Sequence, residues 1–148
     1  MTRVDFYLLD HATEGGKDAA VCKLAHKAFR LGHRIYILTH DHEDAQRLDR
    51  LLWIFAAYSF IPHGLGALPA DADLPVLIGR DEPPADHEDV LIQLTPQVPE
   101  FFSRFRRVAE VVDGSDDEKA LARERFRFYR DRGYELQTHN LALDAIGA

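Results

Sequence analysis

The sequence predicts an α/β fold of three layers, in which a mostly parallel sheet of about five strands carries helices on both faces. Three observations lead there. Short apolar runs alternate with segments of helical periodicity from the start of the chain, and such a β-α-β-α opening implies parallel strands joined by right-handed crossovers. The apolar runs end at turn residues, as buried strands do. The chain has 148 residues and 46% hydrophobic content, which suits one domain able to bury a core.

Val4 to Leu9 is the first such run, closed by Asp10 and leading to a loop at Thr13-Glu14-Gly15-Gly16. From about Lys17, the residues Val21, Leu24, Ala28 and Leu31 recur at helical spacing, and Gly32 ends the pattern. Arg34 to Thr39 is a second strand. Glu43 to Leu52 is a second helix with Ala45, Leu48, Leu51 and Leu52 facing inward. The stretch from Leu51 to His63 is too apolar for an ordinary surface loop, and Pro62 forbids a continuous helix through it. Gly64 to Asp73 is turn-rich, Pro75 to Gly79 is a strand, and Arg80 to Glu88, with Pro83 and Pro84, is a loop. Asp89 to Leu94 is another strand. A short helix around Pro99 to Arg106 turns Phe101, Phe102 and Phe105 inward, and Val108 to Val112 is the fifth core strand.

The last helix has start and stop signals that agree. Ser115 followed by Glu118 is a capping-box pattern, Asp116 and Asp117 suit the positive end of the helix, and Gly133 suits the exit. Tyr134 to Thr138 reads as a short extended tail. No repeat, low-complexity tract or linker divides residues 1–148, so a single domain is expected.

A formal net charge of −7 makes the surface as a whole repel nucleic acid and anionic membranes, so any contact with DNA is local or runs through a partner. Cys22 is the single cysteine, which excludes an intrachain disulfide and a thiolate metal cluster. Its apolar helical setting marks it as a buried structural thiol. The N-terminus has no secretory pattern and no stretch is long and apolar enough to span a bilayer, so a cytoplasmic location is expected.

Against this acidic background the last helix carries a basic stripe. At roughly 100° per residue, Lys119, Arg123, Arg127 and Arg130 fall within an arc of about 80°, with Phe126 at its border. Like charges at i, i+4 repel, so stability alone gives no reason to place Arg123 before Arg127 and Arg130. One reading is a solvated face neutralised by Glu124, Asp131 and their neighbours. The other is a receptor for an anion with an apolar group attached: guanidinium forks grip a carboxylate, and Phe126 or Tyr129 holds the apolar part. A peptide C-terminus with a hydrophobic last residue fits both halves.

Other features invite a functional reading. Glu14-Gly15-Gly16-Lys17 lies where a phosphate loop would be found, but it lacks the spaced glycines and the Lys-Ser/Thr pair of such a loop. His40-Asp41-His42-Glu43-Asp44 invites a metal reading, against a plainer one in which Asp41 or His42 caps the second helix and the acids fill its first turn. The remaining histidines and the serines show no catalytic spacing, so no catalysis, cofactor or metal is expected. Finally, Trp53, Phe55, Tyr58, Phe60 and Ile61 exceed what one short crossover buries. Either they pack in the core or part of them forms a partner surface.

The segment from Ala122 to His139 resembles the C-terminal signature of the chi subunit family of bacterial DNA polymerase III. The resemblance continues in order through Val4 to Leu9, Cys22 to Ala25, Gly32 to Leu38, Leu48 to Trp53, Ser59 to His63 and Asp89 to Ile92. It implies a non-catalytic accessory subunit of the clamp-loader assembly, with a nucleotide-binding-like topology that lacks a phosphate loop. It implies two partners. One is the acidic C-terminal tail of single-stranded-DNA-binding protein, which ends in an apolar residue bearing the terminal carboxylate. The positions matching that site are Lys119, Arg123, Phe126 and Arg127, and Arg130 completes the stripe. The family also has Tyr where this chain has Phe126 and Lys where it has Arg127, so charge and aromatic body are kept without a phenolic hydrogen bond. The other partner is the psi subunit, on the region matching Trp53 and Phe60 with Ile61 and Pro62 beside them. A repair-type helicase that competes for that face is a further partner the family allows. Nucleic acid would be reached only indirectly.

Two competing classes make different predictions. A small α/β nucleotide- or metal-dependent enzyme would use the loop after the first strand, or His40 and His42. An oligomerisation module would use Trp53 and Phe60 as a self-interface and leave the arginine stripe without work.

Overall fold

The structure is a computed structural model that describes residues 1–10, 15–54, 61–65 and 74–141. In chain order the elements are β1 (Arg3–Leu9), α1 (Gly16–Arg30), β2 (Ile35–Leu38), α2 (His42–Ile54), β3 (His63–Gly64), β4 (Val76–Gly79), β5 (Val90–Gln93), β6 (Arg107–Val112), α3 (Asp116–Asp131) and β7 (Glu135–Leu141). All strand pairs are parallel and form one seven-stranded sheet in the order β3-β4-β2-β5-β6-β1-β7.

That order sorts the helices. From β1 the chain moves toward the β3 edge, through α1 to β2 and through α2 to β3. It then steps back through β4, β5 and β6, and crosses through α3 to β7 at the opposite edge. Right-handed crossovers running in opposite directions put their connections on opposite faces. One core therefore lies beneath α1 and α2, with Val21, Leu48, Leu52, Ile37, Ile78 and Ile92 among its members. The other lies beneath α3, with Phe6, Tyr36, Leu91, Phe105, Val108 and Tyr129. Alternate residues of β1 and β2 serve the two cores, as the period of a strand requires.

The expected elements are present, with three differences. The sheet has seven strands rather than about five. The additional two are the two-residue β3 and the seven-residue β7. The segment expected as a short extended tail is thus a full strand: Tyr7 pairs with His139 and Leu9 with Leu141 along the whole of β1. Its side chains are mostly polar, so no apolar run marks it, and the backbone of β1 supplies its partner. The short helix expected from Pro99 to Arg106 is only a 3-10 turn at Phe102–Arg104, although Phe102 and Phe105 are buried as expected.

The capping box is half formed. Ser115 Oγ accepts from the Glu118 backbone N–H at 3.3 Å, but the Ser115 N–H donates to Asp113 Oδ1 at 2.8 Å. Glu118 Oε1 instead accepts from the Asp113 N–H at 3.0 Å and from Lys17 Nζ at 2.7 Å. This last bond ties the start of α1 to the start of α3 across the carboxyl ends of β1 and β6. Gly32 and Gly133, the predicted helix stops, have φ of 86° and 80°, where a Cβ would be strained. Cys22 is buried, and burial pushes its thiol up to about 12, out of the reactive range.

Candidate functional site

Helix α3 sits on the sheet through Ala122, Arg125 and Tyr129, which are buried, at the i, i+3, i+7 spacing of a core-facing stripe. Arg125 is a core residue despite its charge. Its Nε donates to Glu110 Oε1 at 2.9 Å and its Nη1 to the Pro96 carbonyl at 3.2 Å. The same glutamate accepts from the Tyr129 hydroxyl at 2.8 Å. Burial pushes the Glu110 carboxyl up, against the opposing pull of Arg125 and the two hydrogen bonds from Tyr129 and Gln93. Three elements are thereby locked together, and the roll of α3 about its axis is fixed.

That roll turns the basic stripe outward. Arg123, Arg127 and Arg130 are exposed and Lys119 is half-buried. Two of the four cations already have local partners: Arg127 Nη1 donates to Glu124 Oε1 at 2.7 Å, and Arg130 Nη2 to Asp131 Oδ1 at 3.0 Å. These pairs are solvated and worth little, so a ligand carboxylate can displace them. Lys119 and Arg123 make no ion pair or hydrogen bond to any of the described residues. Among the stripe residues they are the cations that neutralisation by neighbours does not account for.

Phe126 is half-buried beside them, its ring 5.4 Å from that of Phe6 in β1. In register, Phe6 pairs with Thr138 and Leu8 with Asn140, so Thr138 and Asn140 share the α3 face of the sheet with Phe6. Both are exposed. The stripe therefore overlooks a shelf formed by Phe126 and the polar edge strand β7. Sequence reasoning placed Lys119, Arg123, Phe126, Arg127 and Arg130 together, and the structure brings them together. The place of Thr138 and Asn140 beside them is not legible in the sequence, because no apolar run marks β7 as a strand. Nor is the inward turn of Arg125, for which the spacing with Ala122 and Tyr129 was the available signal. Tyr129, named as an alternative aromatic, is fully buried and holds no ligand.

The second candidate surface lies at the end of α2. Trp53 is 55% exposed and Ile54 is 73% exposed, although both are large and apolar. The Trp53 ring lies 4.6 Å from that of His63, whose Nδ1 is 2.6 Å from the Ile61 carbonyl oxygen and whose Nε2 is 2.9 Å from the Asp49 carbonyl oxygen. A buried, tethered imidazole thus backs the exposed indole. Pro62 is half-buried at the same place. Ile61 requires a correction: it is 1% exposed and belongs to the core under α1 and α2, so its side chain is not offered to a partner. Phe60, with Phe55 and Tyr58, lies outside the described residues. Ile54, which the sequence reading did not single out, adds to the exposed apolar surface.

A family model described as DNA polymerase III chi subunit, HolC, matches residues 1–137. The chain belongs to the DNA polymerase III chi subunit family. Relatives named DNA polymerase III subunit chi include that of Pseudomonas aeruginosa, 44% identical over 95% of this chain and 98% of the relative. That of Escherichia coli is 35% identical over 93% and 97%, and that of Haemophilus influenzae 28% identical over 92% and 95%. The chi-family chain also shares its fold with T4 UvsW at a TM-score of 0.68. Identity there is 9%, and the match covers 96% of this chain and 42% of UvsW, so it speaks to fold alone.

In this chi-family chain Lys17 and Asp41, from the two segments that invite an enzyme reading, have structural partners. Lys17, after the paired glycines, is bonded to Glu118. Asp41 caps α2, its Oδ1 accepting from the Asp44 N–H at 2.8 Å, with Glu43 and Asp44 in the first turn. Among the described residues no helix is long and apolar enough to cross a membrane.

Proposed function

We propose that this protein is a non-catalytic accessory subunit of the DNA polymerase III clamp-loader assembly that grips the acidic C-terminal tail of single-stranded-DNA-binding protein on α3. The Trp53 end of α2 holds its second partner, the psi subunit or a repair-type helicase. The observation that carries the reading is the placement of Lys119 and Arg123, without partners among the described residues, beside the half-buried Phe126. A terminal carboxylate and an apolar last side chain need those two environments side by side.

The mechanism is avidity. A short disordered tail loses entropy on ordering, so each contact is weak, but many tails on coated DNA raise the effective concentration. The acidic surface elsewhere disfavours direct contact with DNA, and the polymerase is held to the coat protein instead.

The test is titration of a labelled acidic peptide ending in Pro-Phe into wild type and Arg123→Ala, with the C-terminally amidated peptide as control. Saturable binding to wild type, lost in the variant and in the control, is expected. Full affinity of Arg123→Ala at low salt would sink the assignment.

A further inference from the structure

Strand β7 ends the sheet and pairs with β1. Every position of Glu135–Leu141 is exposed or half-buried, and most of its side chains are polar. A strand that is polar on both faces specifies its register weakly, and a slip of one residue would exchange its two faces. On the α3 face, Leu136 packs against the core, but Thr138 and Asn140 make no side-chain hydrogen bond to any of the described residues. The wall beside Phe126 therefore has little to hold it from its own side.

The hold comes from the other face. Gln137 and His139 are in register with Asp5 and Tyr7 of β1, and Asp5 is 1% exposed. His139 Nε2 lies 3.0 Å from Asp5 Oδ1, which also accepts from Arg3 Nη2 at 3.1 Å. Asp5 Oδ2 accepts from Arg107 Nε at 3.1 Å, and Arg3 Nη2 reaches Gln137 Oε1 at 2.6 Å. The Tyr7 ring stacks on His139, centroids 4.8 Å apart and 15° from parallel. One buried carboxylate thus joins β6, β1 and β7. Leu141 adds an apolar contact with the core on this face. Apolar residues in place of a buried ionic cluster often stabilise a fold equally well, but they tolerate a slip, whereas directional bonds to Asp5 close in one register only.

We propose that Asp5 and His139 are positioning residues of the tail site: from the opposite face of the sheet they fix the register of β7, and with it the wall of Thr138 and Asn140 that stands beside Phe126 and receives the last side chain of the tail. This rests on the tail-binding function proposed for α3. The pair governs selectivity for the terminal side chain, while the terminal carboxylate is left to Lys119 and Arg123.

The test uses the full chain as wild type, His139→Ala, His139→Gln and Arg123→Ala. Each is titrated with two labelled acidic peptides with free carboxylates, one ending in Pro-Phe and one in Pro-Ala, and amide hydrogen exchange is followed along β7 and α3. In His139→Ala the preference for Phe over Ala is expected to fall by about threefold or more, with faster exchange in β7 and unchanged exchange in α3. His139→Gln, which keeps a donor for Asp5, should restore both. Arg123→Ala should weaken both peptides alike and leave the preference and the β7 exchange as they are. Thermal melts confirm that the variants fold. Unchanged exchange in His139→Ala would overturn the proposal by removing the hold on β7. An unchanged preference despite faster exchange would overturn it by separating β7 from the tail site, as would a wild type that binds both peptides alike. These results leave tail binding itself standing, whereas a wild type that binds neither peptide overturns both readings.

Discussion

Arg125 on α3 and Glu110 on β6 form an ion pair of 2.9 Å in which the two side chains are 6% and 0% exposed. Arg123, two positions earlier, is exposed and without a partner among the described residues. Two arginines of one Ala122-Arg123-Glu124-Arg125 segment therefore do opposite work. Removing one partner of a buried pair leaves an uncompensated charge and costs about 3–5 kcal/mol. Arg125→Ala is expected to lower unfolding stability by that amount, whereas Arg123→Ala should change it by no more than about 0.5 kcal/mol. Urea denaturation of the two variants checks this, and equal losses would contradict the division of roles.

The stripe should be graded rather than uniform. Among the described residues Arg123 has no competing carboxylate, and a charge-assisted hydrogen bond is worth about 1.5–3 kcal/mol, so Arg123→Ala should weaken tail-peptide binding by roughly 10- to 100-fold. Arg127 and Arg130 exchange Glu124 and Asp131 for the ligand, and their net contribution is smaller, about threefold each. Glu124→Gln should strengthen binding slightly by releasing Arg127. Fluorescence anisotropy at several salt concentrations measures all four variants, and added salt should weaken binding in each case. A larger loss from Arg127→Ala than from Arg123→Ala would reverse the ranking.

Trp53 and Ile61 should separate binding from stability. Ile61→Ala removes a core side chain and is expected to cost about 2–5 kcal/mol. Trp53→Ala removes a side chain more than half exposed, so it should spare most of the stability and abolish capture of a psi-type partner. Thermal melts paired with pull-down of the partner distinguish the two. Retained capture by folded Trp53→Ala would remove this face from the interface.

Asp5 gives the chain an acid-side sensitivity. Burial alone would raise its carboxyl, but hydrogen bonds from His139, Arg107 and Arg3 together hold it below its ordinary value of 3.8. A carboxylate with a lowered folded value contributes stability that is present above the unfolded value and lost as pH falls through the folded one. The stability gap between wild type and Asp5→Asn should therefore be full at neutral pH and close as pH drops below about 4. A gap constant from pH 7 to 3 in urea titrations would show that Asp5 contributes nothing through its charge.

Most of the architecture was legible because it is written in local periodicity. The apolar runs of β1, β2, β4, β5 and β6 and the helical repeats of all three helices each act over a few residues. The basic stripe was legible for the same reason, since the angular position of Lys119, Arg123, Arg127 and Arg130 follows from helix geometry alone. Tertiary setting could not be read in this way. Which of Trp53 and Ile61 faces water depends on where the fold sets each against the core beneath α1 and α2.

By itself, then, the sequence determined the α/β class, the ends of α1 and α3 at Gly32 and Gly133, and the existence of a basic stripe bordered by Phe126. Only the tertiary structure decided that Glu135–Leu141 is a strand, that Arg125 is inside while Arg123 is outside, and that Lys17 meets Glu118 across 101 positions. The physical reason is range. Helix and strand propensities are set by neighbours along the chain, whereas the state of a polar residue is set by what the fold places opposite it: the β1 backbone for β7, a buried glutamate for Arg125, and solvent for Arg123.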